Sequence, residues 1–219
     1  MKIKTFLFFL LRKQFMKDWK KTLKKVWYFI WEDDSIWSWI ANIVIAFVLI
    51  KFIIFPGLGL ILGTSYPVVA VVSGSMEHST DFDDWWHSQE TIYQRFNISR
   101  QDFEEFPLKD GFNRGDIIFL RGVNKDDLKV GDIIVFKSQD FKARPDPIIH
   151  RAILIKRDEP FTIQTKGDHN FLQIQGRELD ETKIAWDQVV GKAWIRIPML
   201  GYIKIWFVDL INMIGNTVR

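Results

Sequence analysis

The sequence predicts a mainly β protein, an antiparallel barrel or coiled sheet anchored by one N-terminal transmembrane helix. Three observations carry this expectation. Residues 36–55 form a single apolar run. Six later segments are short, β-branched and bounded by Gly, Pro, Asp or Asn. A composition with 47% hydrophobic and 15% aromatic residues supplies a core for about one ordinary domain in 219 residues.

The elements follow in chain order. Residues 1–34 hold nine Lys/Arg and four Asp/Glu, a net charge of +5, so the rest must total −2 to reach the overall +3. Leu11, Phe15, Trp19, Leu23, Val26 and Ile30 recur every three or four residues among those lysines, which predicts a basic amphipathic helix lying on anionic lipid. Residues 35–56 read as the membrane helix: at ~1.5 Å per residue, twenty apolar residues span about 30 Å, the thickness of a bilayer core. Lys51 lies near enough to the far end to snorkel. The positive-inside bias puts the N-terminus in the cytoplasm and the rest of this single-pass protein outside the cell membrane. Pro56 and the glycines at 57, 59 and 63 then predict a connector.

Residues 57–198 form the external domain, with strands expected at 68–72, 115–120, 131–137, 148–155, 161–166 and 189–197. The tetrapeptide GDII occurs at 115 and again at 131, which reads as two strand starts rather than a repeat architecture. Residues 79–112 mix acids with aromatics and predict a surface insertion with short helical turns. His78 just before it and its Asp81, Asp83, Asp84 and His87 match no firm metal-ligand spacing and read as a solvated acidic loop. Residues 199–219 predict an amphipathic, interfacial helix.

Several function classes drop out at this stage. Zero cysteines exclude a disulfide framework, thiolate zinc and a cysteine nucleophile. A nearly neutral main domain behind a basic arm suits a lipid surface and argues against nucleic acid as a partner. The strongest chemical signal is the first external strand running into Ser73-Gly74-Ser75-Met76-Glu77, where the glycine permits a tight turn that exposes the second serine. A neutral serine needs a base, commonly His or Lys. His78, His87, His150 and His169 are the histidines available, and His150 stands out as a polar side chain in mid-strand.

These segments resemble the type I signal peptidases in their archaeal and endoplasmic-reticulum form. Residues 73–77 (SGSME) resemble the nucleophile box and 112–119 with 129–136 the paired Gly-Asp strands. Residues 148–153 (IIHRAI) resemble the general-base box, 165–170 (TKGDHN) the acidic box, and 189–205 the closing strand and tail. The resemblance implies a serine endopeptidase of the Ser-His branch, without cofactor or metal, that removes signal peptides from secreted preproteins. Ser75 would be the nucleophile and His150 the base. Ser73 and Met76 would stand on the oxyanion and substrate-binding side, and Asp168 would orient the base or brace the site.

It also implies preprotein signal peptides, membrane lipid and a translocon or accessory subunits as partners. One departure stands out: a second aspartate expected six residues after Asp168 is Ile174 here. The stretch 171–181 looks lengthened, so Glu178, Asp180 or Glu181 would replace it, with Asp180 preferred for its short side chain next to a Leu179 anchor. The competing readings are a catalytically silent ectodomain and a serine protease with one dedicated substrate.

Overall fold

The computed structural model describes residues 19–140 and 142–200, together with Tyr202, Trp206 and Met213. The first part of the basic amphipathic helix and most of the expected C-terminal helix lie outside the described residues. The chain divides into two compact units, Met1–Gly57 and Leu58–Arg219.

In the first unit, residues 19–31 are helical (α1) and a short turn leads into α2 (Ile36–Leu49). Ser35 caps α2 by accepting from the Ser38 N–H. Two polar side chains at the start of this apolar helix are satisfied by the end of α1. Ser38 Oγ donates to the Phe29 carbonyl at 2.5 Å, and Asn42 Nδ2 donates to the Ile30 carbonyl at 2.9 Å. An apolar surrounding would leave such groups without other partners.

The helix does not stop at Pro56. A π-helical turn at Ile50–Ile54 leads into α3 (Phe55–Leu62), so the continuous helix Ile36–Leu62 has 27 residues and a mean hydropathy of 2.6. At about 40 Å it is long and apolar enough to cross a bilayer. The expected connector at 57 is thus helical, and the π turn explains how. The Phe55 N–H reaches back five residues to the Ile50 carbonyl, which widens the coil just before Pro56, a residue that would clash with a regular preceding turn and donates no bond of its own.

The second unit is a curled antiparallel sheet of seven strands in the order β1-β2-β7-β3-β4-β5-β6. The strands are β1 (Val68–Ala70), β2 (Ile117–Arg121), β3 (Ile133–Phe136), β4 (Ile148–Lys156), β5 (Thr162–Lys166), β6 (Ile184–Ala185) and β7 (Val189–Ile197). Six coincide with the expected segments, and β6 is too short to show as a pattern. Register shifts at Phe119/Leu120, Val135/Phe136 and Ala152/Leu154 add local bends that curl the sheet.

The two GDII copies are the same corner built twice. Gly115 and Gly131 hold φ of 91° and 93°, which favours glycine, and each following aspartate accepts a backbone N–H three residues back. Each aspartate then pairs with a cation on β7, Asp116 with Arg196 and Asp132 with Lys192. One apolar core gathers Val71, Met76, Phe112, Ile118, Ile133 and Val135. A second gathers Leu128, Ile134, Phe136, Ile163, Leu179 and Ile184.

The insertion differs from the surface loop expected of 79–112. It folds into α4 (Phe82–Gln94), capped by Asp81 with Asp83 and Asp84 in its first turn, and α5 (Arg100–Glu104), closed by a Ser99/Asp102 capping box. Trp85, Trp86, Gln89 and Tyr93 occupy one buried face of α4. With Ile98, Phe103 and Ile153 of β4, the aromatic residues of that face form a third apolar core. The acids that suggested a solvated loop are the outer face and cap of an amphipathic helix.

Candidate active site

The first strand carries the chain past Val71 into the 73–77 turn, and β4 presents His150 opposite Ile134 in the middle of the sheet. Ser75 Oγ lies 2.9 Å from His150 Nε2, and His150 Nδ1 lies 2.5 Å from Glu181 Oε1. An ionised carboxylate can only accept, so Nδ1 carries the proton toward Glu181. Nε2 is then free to accept from the Ser75 hydroxyl. Ser73 Oγ stands 3.3 Å from Ser75 Oγ. The structure therefore brings Ser73, Ser75 and His150 together.

Glu181 is buried and held from several directions. Its carboxylate accepts from Thr165 Oγ1 at 2.9 Å and from the Ile174 N–H at 2.7 Å, while its own N–H donates to the Ile174 carbonyl. The lengthened stretch is a small hairpin closed by a Gln175–Asp180 bridge. It leads the chain out past Ile174 and back, so that Glu181 returns beside the position where the aspartate was expected.

This corrects the preference for Asp180, whose carboxylate accepts from the Thr182 N–H and hydroxyl and pairs with Lys183. Side chains alternate along extended chain, so the buried Leu179 shares its face with residue 181 and turns 180 away. Glu178 is exposed.

Asp168 does not reach the base. Arg151 grips it with two nitrogens, Nε at 2.9 Å and Nη2 at 2.6 Å, Tyr93 Oη donates to it at 2.8 Å, and His78 Nε2 lies at 3.3 Å. Burial would raise its pKa, but the Arg151 guanidinium and the His78 contact hold it well below the usual carboxylate range. Burial, reinforced by the Asp168 charge, pushes the Tyr93 hydroxyl well above 10, so it stays a donor. Asp168 thus sits within a charged cluster away from His150, and the acid that touches the His150 ring is Glu181. Met76, expected on the substrate side, is buried in the first core, where its Sδ receives the Asp168 N–H at 3.4 Å. Of the remaining histidines, His78 stacks on Trp85 at 3.6 Å, His87 is exposed on α4, and the His169 N–H donates to the Ser75 carbonyl.

Comparison with known proteins gives the family of the chain. The chain is 30% identical over 158 residues to the signal peptidase complex catalytic subunit SEC11 of Scheffersomyces stipitis, covering 70% of this chain and 73% of the relative. The chain belongs to the signal peptidase catalytic subunit family. The corresponding SEC11 of Lachancea thermotolerans is 30% identical over 165 residues, covering 71% of this chain and 74% of the relative. The human catalytic subunit SEC11C is 29% identical over 157 residues, 69% of this chain, and the match spans 62% of the human protein's length. No protein-family profile matches the chain.

Arg151, Tyr93 and Lys166 acquire their places only in the fold. Their signals in the sequence are a run of two bulky, polar residues, His150 and Arg151, in the middle of an otherwise apolar strand, and the helical spacing of Tyr93 with Trp85, Trp86 and Gln89.

Proposed function

We propose that this protein is a membrane-anchored serine endopeptidase that removes signal peptides from preproteins. The observation that carries the reading is the hydrogen-bonded series Ser75 Oγ, His150, Glu181, with 2.9 and 2.5 Å between its members, in a chain of this family. Ser75 Oγ attacks the scissile carbonyl as its proton passes to His150 Nε2, and Glu181 stabilises the imidazolium that forms. The backbone N–H of Ser75 and the Ser73 hydroxyl receive the oxyanion. The His150 proton then goes to the leaving amine. Water, deprotonated by the same imidazole, hydrolyses the acyl ester and restores Ser75.

The helix Ile36–Leu62 anchors the site, with the basic residues before it on the cytoplasmic side and the sheet domain across the membrane. Relatives bearing the name of a catalytic subunit of a signal peptidase complex support accessory subunits as partners, and anionic lipid suits the basic helix.

The test uses the full chain in detergent with several unrelated preproteins, product termini being read by mass spectrometry. Cleavage of most of them after small residues, lost in Ser75→Ala, is expected. Cleavage of a single substrate would mark a dedicated protease, and no cleavage a silent ectodomain.

A further inference from the structure

The insertion helix α4 grips the loop that touches the reactive pair. Gln89 and Tyr93 are four residues apart and share one face of α4. Their targets, Lys166 and Asp168, are two apart. Lys166 Nζ donates to Gln89 Oε1 at 3.0 Å, and Tyr93 Oη donates to Asp168 Oδ1 at 2.8 Å. Between the two targets sits Gly167, which lies directly against the site. A Cβ added there would fall 2.6 Å from the Ser75 carbonyl oxygen and 2.9 Å from His150 Nε2.

Both grips are buried and both involve groups that need them. The Lys166 ammonium is lowered to about 8 by burial, and its other acceptors are the carbonyls of Gly167, Asn170 and Asp168. Asp168 carries the Arg151 pair described above. On the far side of Gly167, the His169 N–H donates to the Ser75 carbonyl at 2.9 Å. The segment 166–169 is thus tied to α4 at one end of each contact and to the reacting residues at the other.

We propose that Gln89 and Tyr93 are positioning residues of the Ser75–His150 pair, holding Gly167 against it by fixing Lys166 and Asp168 on either side. The face of α4 that carries Gln89 and Tyr93 then positions the reacting pair, while the rest of the insertion stands apart from it. That face sets the distance across which the serine proton moves, an arrangement in which displacements of a fraction of an ångström matter. The inference rests on the protease reading of the site, and its test is arranged so that the two can fail separately.

The variants are Tyr93→Phe, Gln89→Met and the double variant in the full membrane-embedded chain. Each keeps side-chain volume while removing one polar contact. With a cleaved preprotein, kcat is expected to fall about 10-fold in the double variant while KM stays within about two-fold, because the substrate's binding surface is untouched. Hydrogen exchange at residues 167–169 should quicken in the same variants. Arg100→Ala, which removes the exposed pairs to Asp83 and Glu104 and the guanidinium over the Phe82 ring without touching the Gln89 or Tyr93 contacts, should change neither.

A role confined to holding the insertion together would lower the melting temperature and leave kcat of the folded enzyme unchanged, and that result would overturn the proposal. If wild type cleaves no preprotein, the protease reading fails by itself. Exchange then decides the positioning claim alone, and unaltered protection at 167–169 would sink it.

Discussion

Asp168 and Glu181 are both fully buried acids within reach of the site, yet they sit in opposite surroundings. Asp168 faces a guanidinium, an imidazole and a phenol, so its charge is matched before any reaction begins. Glu181 faces a hydroxyl, a backbone N–H and the base itself, with the buried Lys166 ammonium acting on it through its field alone, so it gains a hydrogen-bonded cation only when His150 takes a proton. A carboxylate already paired in the ground state contributes to folding. One that gains its partner in the transition state contributes to rate.

The largest effect that would break this comparison comes from Glu181→Gln. Loss of the negative charge that stabilises the imidazolium, with one acceptor oxygen replaced by an NH2 donor, should lower kcat about 10³- to 10⁴-fold, equivalent to roughly 4–5.5 kcal/mol, with the fold retained. Single-turnover cleavage together with a melting curve checks it. A Glu181→Gln enzyme of near wild-type turnover would remove Glu181 from the mechanism.

Next comes Asp168→Ala, which leaves Arg151 buried without its counter-charge. Such losses cost about 3–5 kcal/mol, so this variant should show its defect in denaturant midpoint and yield before it shows it in turnover per folded molecule. A fully stable Asp168→Ala protein would contradict the brace.

A third, smaller effect is the pH dependence of that brace. Because the folded-state pKa of Asp168 is depressed, the unfolded chain takes up its proton first as pH falls. The stabilisation is complete above the unfolded value of ~3.9 and is lost as pH drops toward the folded value. Urea midpoints measured from pH 6 to pH 3 should therefore fall more steeply in wild type than in Asp168→Asn below about pH 4. Parallel curves would refute the assignment. The smallest change is expected of Asp180→Ala, within about two-fold in turnover, since its partners Thr182 and Lys183 lie away from the base. A loss comparable to that of Glu181→Gln would restore it as the orienting acid.

Much of this site was legible before any coordinates. The serine turn, the mid-strand His150 and the strands that carry them are local patterns, and each lies where alternation and turn chemistry put it. The third member turns on parity. In extended chain an anchor at Leu179 faces inward together with 181, so the direction of the Asp180 side chain outweighs its shortness. The insertion hides its helix for a related reason. Trp85, Trp86, Gln89 and Tyr93 mark a helical face, but Asp83, Asp84, His87 and Glu90 between them look like a loop until the outer face is recognised as such.

The sequence by itself determined the apolar span, the order of the six longer strands and the serine with its candidate bases, because periodicity, turn residues and charge act over a few neighbouring residues. Only the tertiary structure decided which acid meets His150, that Asp168 belongs to Arg151, and that α4 reaches the loop beside Ser75. Those contacts join residues 31, 17 and 75 positions apart. They depend on how a curled sheet, a hairpin and a helix pack together, and partners so distant in sequence leave no trace in any local pattern.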